Sequence, residues 1–362
     1  MIQENEFILE VCKIQYSSKE KIIRLINEGI NYPYVLGQLL YNRVGGIAYY
    51  VLKKHEILHM VSREFRNSLE AVYEFGKSKA SSYIQTLQEL EKNCEKFDFR
   101  YAFLKGALLV NLYPTGLRTS NDVDILINPE DISGLSAQLK EAGFRQGSIK
   151  NEVFVPAKRN EIIFSRMNRG ETIPYVKEVN LPCMKYLEID VNFSLGFSPG
   201  NDEDVVGTFL ERTQNRILNS VYSLNSTDFL MHLCAHLYKE AVIMNWIEMG
   251  RDISLYKYCD IYLYLNQFIN KEFADGLIKG IKECGLEKEC YYSLYNAKKL
   301  FDIDNIYLEE ILRNIKPNDV KFMKEVFEPL TGKLYSYSMD YIDWVFCGNR
   351  RENLNEVKNE EK

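Results

Sequence analysis

Two acids set inside an aliphatic run constrain this chain more than any other feature: Asp122-Val123-Asp124-Ile125-Leu126-Ile127. The run has the length and the β-branched content of a strand. Side chains alternate faces along a strand, so Asp122 and Asp124 project from the same side, while Val123, Ile125, Leu126 and Ile127 are apolar and free to be buried. Like charges a few ångströms apart repel, and one of them gains proton affinity unless a cation stands between them. Magnesium, a hard oxygen-seeking ion, is the usual answer, with a substrate phosphate as its usual companion.

The residues just upstream point the same way. Phe99–Leu104 reads as a strand, Lys105-Gly106 as a tight turn, Ala107–Tyr113 as a short helix and 114–121 as a loop. A turn that closes a strand and opens a helix presents backbone N–H groups to an anion. Lys105 adds a point charge there, and Arg118 offers a fork that suits phosphate. Arg118 has a second reading, as a structural partner of Asp122 across the turn. Phosphate donors and an acid pair in one short unit suggest transfer from a nucleoside triphosphate, with Lys105, Gly106, Arg118 and Ser120 as its binding residues.

Leu104-Lys105-Gly106, Leu117-Arg118 and Asp122-Val123-Asp124-Ile125-Leu126 together resemble an uncharacterised bacterial nucleotidyltransferase family, a branch of the DNA polymerase β-like superfamily. The likeness extends from about Asn31 to Asp260, and its diagnostic part is the stretch from the LKG turn to the acid strand. It implies an α+β fold: a polymerase β-like core, a short mixed sheet with helices, flanked by N- and C-terminal helical regions. It also implies a third carboxylate on a later strand, which Glu188-Ile189-Asp190-Val191-Asn192-Phe193 supplies through Asp190. Asn192 stands where the family usually has His, and Glu188 shares the face of Asp190. The expected chemistry uses Mg²⁺, with Mn²⁺ as a substitute, held by Asp122, Asp124 and Asp190. The default donor is ATP. Acceptor hydroxyls of small molecules, peptides and proteins all suit, so a toxin that modifies a protein or tRNA differs only in its acceptor.

Composition narrows the class. The chain has 362 residues, 46% hydrophobic and 27% charged, as expected of a soluble globular protein with room for more than one compact region. No apolar run approaches the roughly 18 residues a membrane helix needs. The first residues, MIQENEFILEVCKIQ, carry no basic region followed by an apolar core, so no secretory signal is read there. Eight scattered cysteines without a CxxC pair suggest reduced thiols and a cytoplasmic protein. A net charge of −6 with interspersed signs leaves no footprint for nucleic acid.

Periodicity divides the chain into an N-terminal helical region over 1–96, an α/β core over 97–200, a C-terminal helical domain over 201–349 and a charged, frayed tail over 350–362. Residues 62–96 read as one long helix. A helix from Pro129 to Ala142 is capped by Gly143, and Glu152–Val155, Glu161–Ser165 and Tyr186–Leu195 read as strands. Ser226-Thr227-Asp228 looks like a capping cluster for the helix that follows.

Two other readings compete. His55-Glu56-Ile57-Leu58-His59 is a literal zinc-hydrolase motif, although no third ligand follows in a familiar pattern. A non-catalytic nucleotide- or partner-binding module on the same fold is the remaining alternative. His232 and His236 share a helix face with Glu240; the resemblance places a His-bearing helix there and a segment ending at Asp260. One of these His is expected to touch nucleotide or acceptor, and Asp260 to be either a helix-pairing acid or a substrate contact.

Overall fold

The computed structural model describes residues 1–94, 96–168, 170–195, 203–213, 215–216 and 221–357. The chain is α+β and divides into two compact units, Met1–Tyr73 with Leu233–Lys362 and Glu74–His232. This partition joins the two terminal helical regions that the sequence separates.

The unit Glu74–His232 is built on a mixed eight-stranded sheet. Its strands are β1 (Tyr101–Phe103), β2 (Asp122–Ile127), β3 (Arg145–Lys150), β4 (Val153–Pro156), β5 (Tyr175–Leu181), β6 (Met184–Asn192), β7 (Asn215–Arg216) and β8 (Tyr222–Ser223). They lie in the order β4-β3-β5-β6-β2-β1-β8-β7. β1 runs antiparallel to β2, and β2 parallel to β6. Val123, Ile125 and Ile127 of β2 and Leu187, Ile189 and Val191 of β6 enter one core with Tyr83, Leu87 and Leu90 of the helix Arg63–Cys94. Each such burial contributes about 1.5–3 kcal/mol. That fixes which face the alternate residues take: Asp122, Asp124, Glu188, Asp190 and Asn192 all point away from this core.

The long helix runs over Arg63–Cys94, close to its expected span. The segment Glu161–Ser165 is not a strand but part of the helix Arg159–Asn168. Lys158 N–H donates to Glu161 Oε2 at 2.7 Å, the N-terminal half of a capping box. The helix Ser226–Val242 is capped not by its own first residues but by Asn225, whose Oδ1 accepts from Thr227 N and Asp228 N. β3 and β5 have no counterpart in the strands read from the sequence.

The other unit is largely helical, with a three-stranded antiparallel sheet formed by Glu325–Glu328, Lys333–Ser336 and Asn355–Glu356. The tail expected to fray is anchored in its first part. Arg350 is buried and makes a bidentate pair with Asp252, Nε to Oδ2 at 2.6 Å and Nη2 to Oδ1 at 2.7 Å. Residues 358–362 of that tail lie outside the described residues.

Candidate active site

The acid strand forms as read, Asp122–Ile127, and its register with β6 sets the site. Asp122 lies opposite Glu188, and Asp124 opposite Asp190. Side chains opposite each other on paired strands share a face, so four carboxylates gather where the start of β2 meets the middle of β6. A fifth joins them. Glu171 forms an isolated antiparallel bridge with Asn192, bracketed by Thr172 N–H donating to Val191 O and Phe193 N–H donating to Gly170 O, both 2.9 Å. Glu171 therefore extends the same face beyond Asp190.

Burial pushes the Asp190 carboxyl well above the usual carboxylate range. The charges of Asp124, Asp122 and Glu171 raise it further, while Lys105 opposes them.

Lys105 supplies a cation at this spot. Its Nζ stands 2.7 Å from Asp124 Oδ1, with the Lys and Asp side chains 18% and 8% exposed. Its backbone has φ 43° and ψ −112°, a region that non-glycine residues enter at a cost of about 1–3 kcal/mol. Leu104 N–H donates to Asp124 O at 2.9 Å and ties the turn to β2. The helix after the turn is shorter than expected, only Gly106–Leu109. Asn111 and Leu112 continue with tight i−3 bonds toward Pro114, which disfavours helical geometry at Tyr113. So short a helix carries little dipole, and the positive character of the turn rests on Lys105.

The loop 114–121 is held against the long helix by two glycines. A Cβ on Gly76 would lie 2.5 Å from the Gly116 carbonyl oxygen, and one on Gly116, at φ 92°, 2.5 Å from Lys77. This crossing delivers Arg118 and Ser120 to the site. Arg118 is half-buried and donates through Nη1 to Thr119 O at 2.8 Å. Ser120 Oγ donates to Asp122 Oδ1 in a short hydrogen bond. Asn192 Nδ2 donates to Asp190 O at 3.3 Å and reaches Asp124 Oδ1 at the 3.5 Å limit.

Among the described residues, no three His, Cys, Asp or Glu side chains converge on one point as ready metal ligands. The donor set is nonetheless all hard oxygen, and an ammonium group already stands on Asp124 as a cation's substitute. These residues fit a divalent magnesium ion in chemistry.

The remaining sequence candidates fall on other elements. His232 is buried on the helix Ser226–Val242 and closes the same unit. His236, one turn on, belongs to the other unit, where its Nε2 lies 3.2 Å from Glu240 Oε2. Lys257 Nζ approaches the same oxygen at 2.6 Å. Asp260 is buried in that unit on the helix Leu255–Phe268. The zinc motif dissolves: His55 ends one helix, Glu56 is exposed at φ 60°, and His59 lies in a separate 3₁₀ turn. His55 Nε2 instead bonds Ser17 Oγ at 2.9 Å.

Sequence reasoning missed Glu171 at the acid face and the buried, unbonded hydroxyl of Tyr83. Glu171 reaches the site through one bridge outside any strand, which leaves no periodic signal. Tyr83 belongs to the core-facing stripe of the long helix with Leu87 and Leu90, where an aromatic residue reads as packing.

Residues 29–302 match the profile of a protein family described as "uncharacterised nucleotidyltransferase". No curated protein matches the chain.

Proposed function

The chain belongs to that nucleotidyltransferase family, and from this premise we propose that it moves a nucleoside monophosphate from a nucleoside triphosphate, by default ATP, to an acceptor hydroxyl, releasing pyrophosphate. The observation that carries the reading is the register of Asp124 against Asp190 beside the Lys105-Gly106 turn. Asp122, Asp124 and Asp190 would hold the magnesium, as in a polymerase β-like core. When bound, the metal neutralises the triphosphate and makes the acceptor hydroxyl more acidic.

The chain's own residues do the rest. Lys105 leaves Asp124 for the β- and γ-phosphates, a move that also relieves the crowding of positive charge once a metal enters. Arg118 forks onto the same phosphates, and Ser120 gives up its bond to Asp122 to donate to an oxygen there. Asp190, whose proton affinity burial and its acidic neighbours raise, would take the acceptor proton. The acceptor is a small molecule, peptide or protein rather than nucleic acid, in keeping with the net charge of −6. Eight free thiols suit a reducing cytoplasm. No helix among the described residues is long and apolar enough to cross a membrane.

Calorimetry tests the phosphate assignment. Arg118→Ala is expected to weaken Mg-ATP binding at least tenfold, about 1.4 kcal/mol, and AMP binding far less. Equal weakening for both would show that Arg118 does not read the β- and γ-phosphates.

A further inference from the structure

Tyr83 carries a buried hydroxyl that the core does not use. The residue is 0% exposed, and its Oη has no hydrogen-bond partner among the described residues. Leaving a buried hydroxyl unmade is unfavourable, and a phenylalanine would fill the same stripe of the helix without that cost. The hydroxyl is therefore in want of a partner that the described residues do not provide.

Its position suggests the partner. A Cβ built on Gly106 would lie 3.2 Å from Tyr83 Oη, 3.1 Å from Ser120 Cβ and 3.4 Å from Ser120 Oγ. Gly106, Tyr83 and Ser120 thus bound one narrow gap, tighter than a Cβ on residue 106 would need. Two hydroxyls line it. Ser120, two residues before Asp122 and bonded to it, joins the space to the start of the acid strand. Ser120 closes it by donating to Asp122.

We propose that Tyr83 is a nucleotide-binding residue, its O–H donating to a phosphate oxygen of the nucleoside triphosphate seated over Gly106, with Ser120 lining the same space. The inference rests on the transferase reading and adds to it the residue beneath the turn. A hydroxyl in this role contributes to ligand affinity and nothing to the fold of the free protein. That combination separates it from a tyrosine kept for packing or bonded to a structural water.

The test compares wild type with Tyr83→Phe by calorimetry against Mg-ATP, Mg-tripolyphosphate and AMP, alongside ligand-free thermal melts. The expected result is a 5–20-fold loss of affinity for ATP and tripolyphosphate, little change for AMP, and a melting temperature equal to or above wild type. Gly106→Ala, which fills the space with a methyl group, should weaken the same two ligands. Undiminished binding of ATP and tripolyphosphate by Tyr83→Phe overturns the inference alone, as does a loss shared equally by AMP. A lowered melting temperature in Tyr83→Phe shows a hydroxyl bonded within the fold and overturns it too. A wild type that binds neither ATP nor tripolyphosphate overturns this inference and the transferase reading together.

Discussion

Replacing Lys105 by Met should make the protein depend on magnesium for stability. Methionine keeps the length of the side chain and removes its charge, so Asp124 loses the ammonium at 2.7 Å while Asp122 and Asp190 stay close by. Exposed ion pairs are worth about 0–1 kcal/mol, and breaking a fully buried one costs about 3–5 kcal/mol. With side chains 18% and 8% exposed, this pair lies between those limits, and about 2 kcal/mol is expected. For a cooperative unit the size of Glu74–His232, about 2–4 °C accompanies each kcal/mol, so the variant should melt about 4–8 °C lower in a chelator. Magnesium then reverses the order of response. At a concentration of about 100 Kd for the variant, binding adds about 2.7 kcal/mol. In wild type the ion must first displace the ammonium, which weakens its binding about 30-fold and leaves a gain of about 0.9 kcal/mol at the same concentration. Thermal melts of both proteins in chelator and in magnesium read this directly. Equal melting temperatures in chelator, or equal magnesium shifts in both proteins, would refute the idea that Lys105 occupies the metal's place.

Two further variants test how the site and its surroundings are held. Gly76→Ala forces a methyl group onto the Gly116 carbonyl, a contact built at 2.5 Å. It should cost about 1–3 kcal/mol in denaturant unfolding and weaken ATP binding by displacing Arg118; unchanged stability would mean that the loop crosses the helix less closely. Arg350→Met leaves Asp252 buried without its fork and should lower stability by about 3–5 kcal/mol. A loss under 1 kcal/mol would show that the start of the tail is not anchored there.

The parts of the fold legible in the sequence are those where periodicity and chemistry agree. Asp122–Ile127 forms a strand because its odd positions are aliphatic and its acids share the other face, so alternation alone sets the geometry. The helix Arg63–Cys94 is long enough for its apolar stripe to be unmistakable. Short apolar runs are another matter. Glu161–Ser165 looks like a strand by its Ile-Ile-Phe content, yet it is helical with Ile163 and Phe164 exposed. The deciding signal was Glu161, three residues after Lys158, rather than hydrophobicity. Tertiary placement hides the rest. Lys105 reads as a phosphate ligand, and only the folded turn puts its ammonium on Asp124. Glu171 and Tyr83 reach the acid end of the sheet from segments whose local patterns announce a turn and a core helix.

The measurement closest to the central claim follows both ends of ATP at once. Protein, magnesium and ATP labelled at the α- and γ-phosphates are incubated with fractions of small-molecule, peptide and protein acceptors, with Asp122→Ala and Asp124→Ala in parallel. The account predicts that the α-label moves to an acceptor while the γ-label leaves as pyrophosphate. Both events should need magnesium and vanish in each variant, and each variant should keep its fold by circular dichroism. Transfer of the γ-label to an acceptor, or pyrophosphate release that survives in either variant, would contradict it.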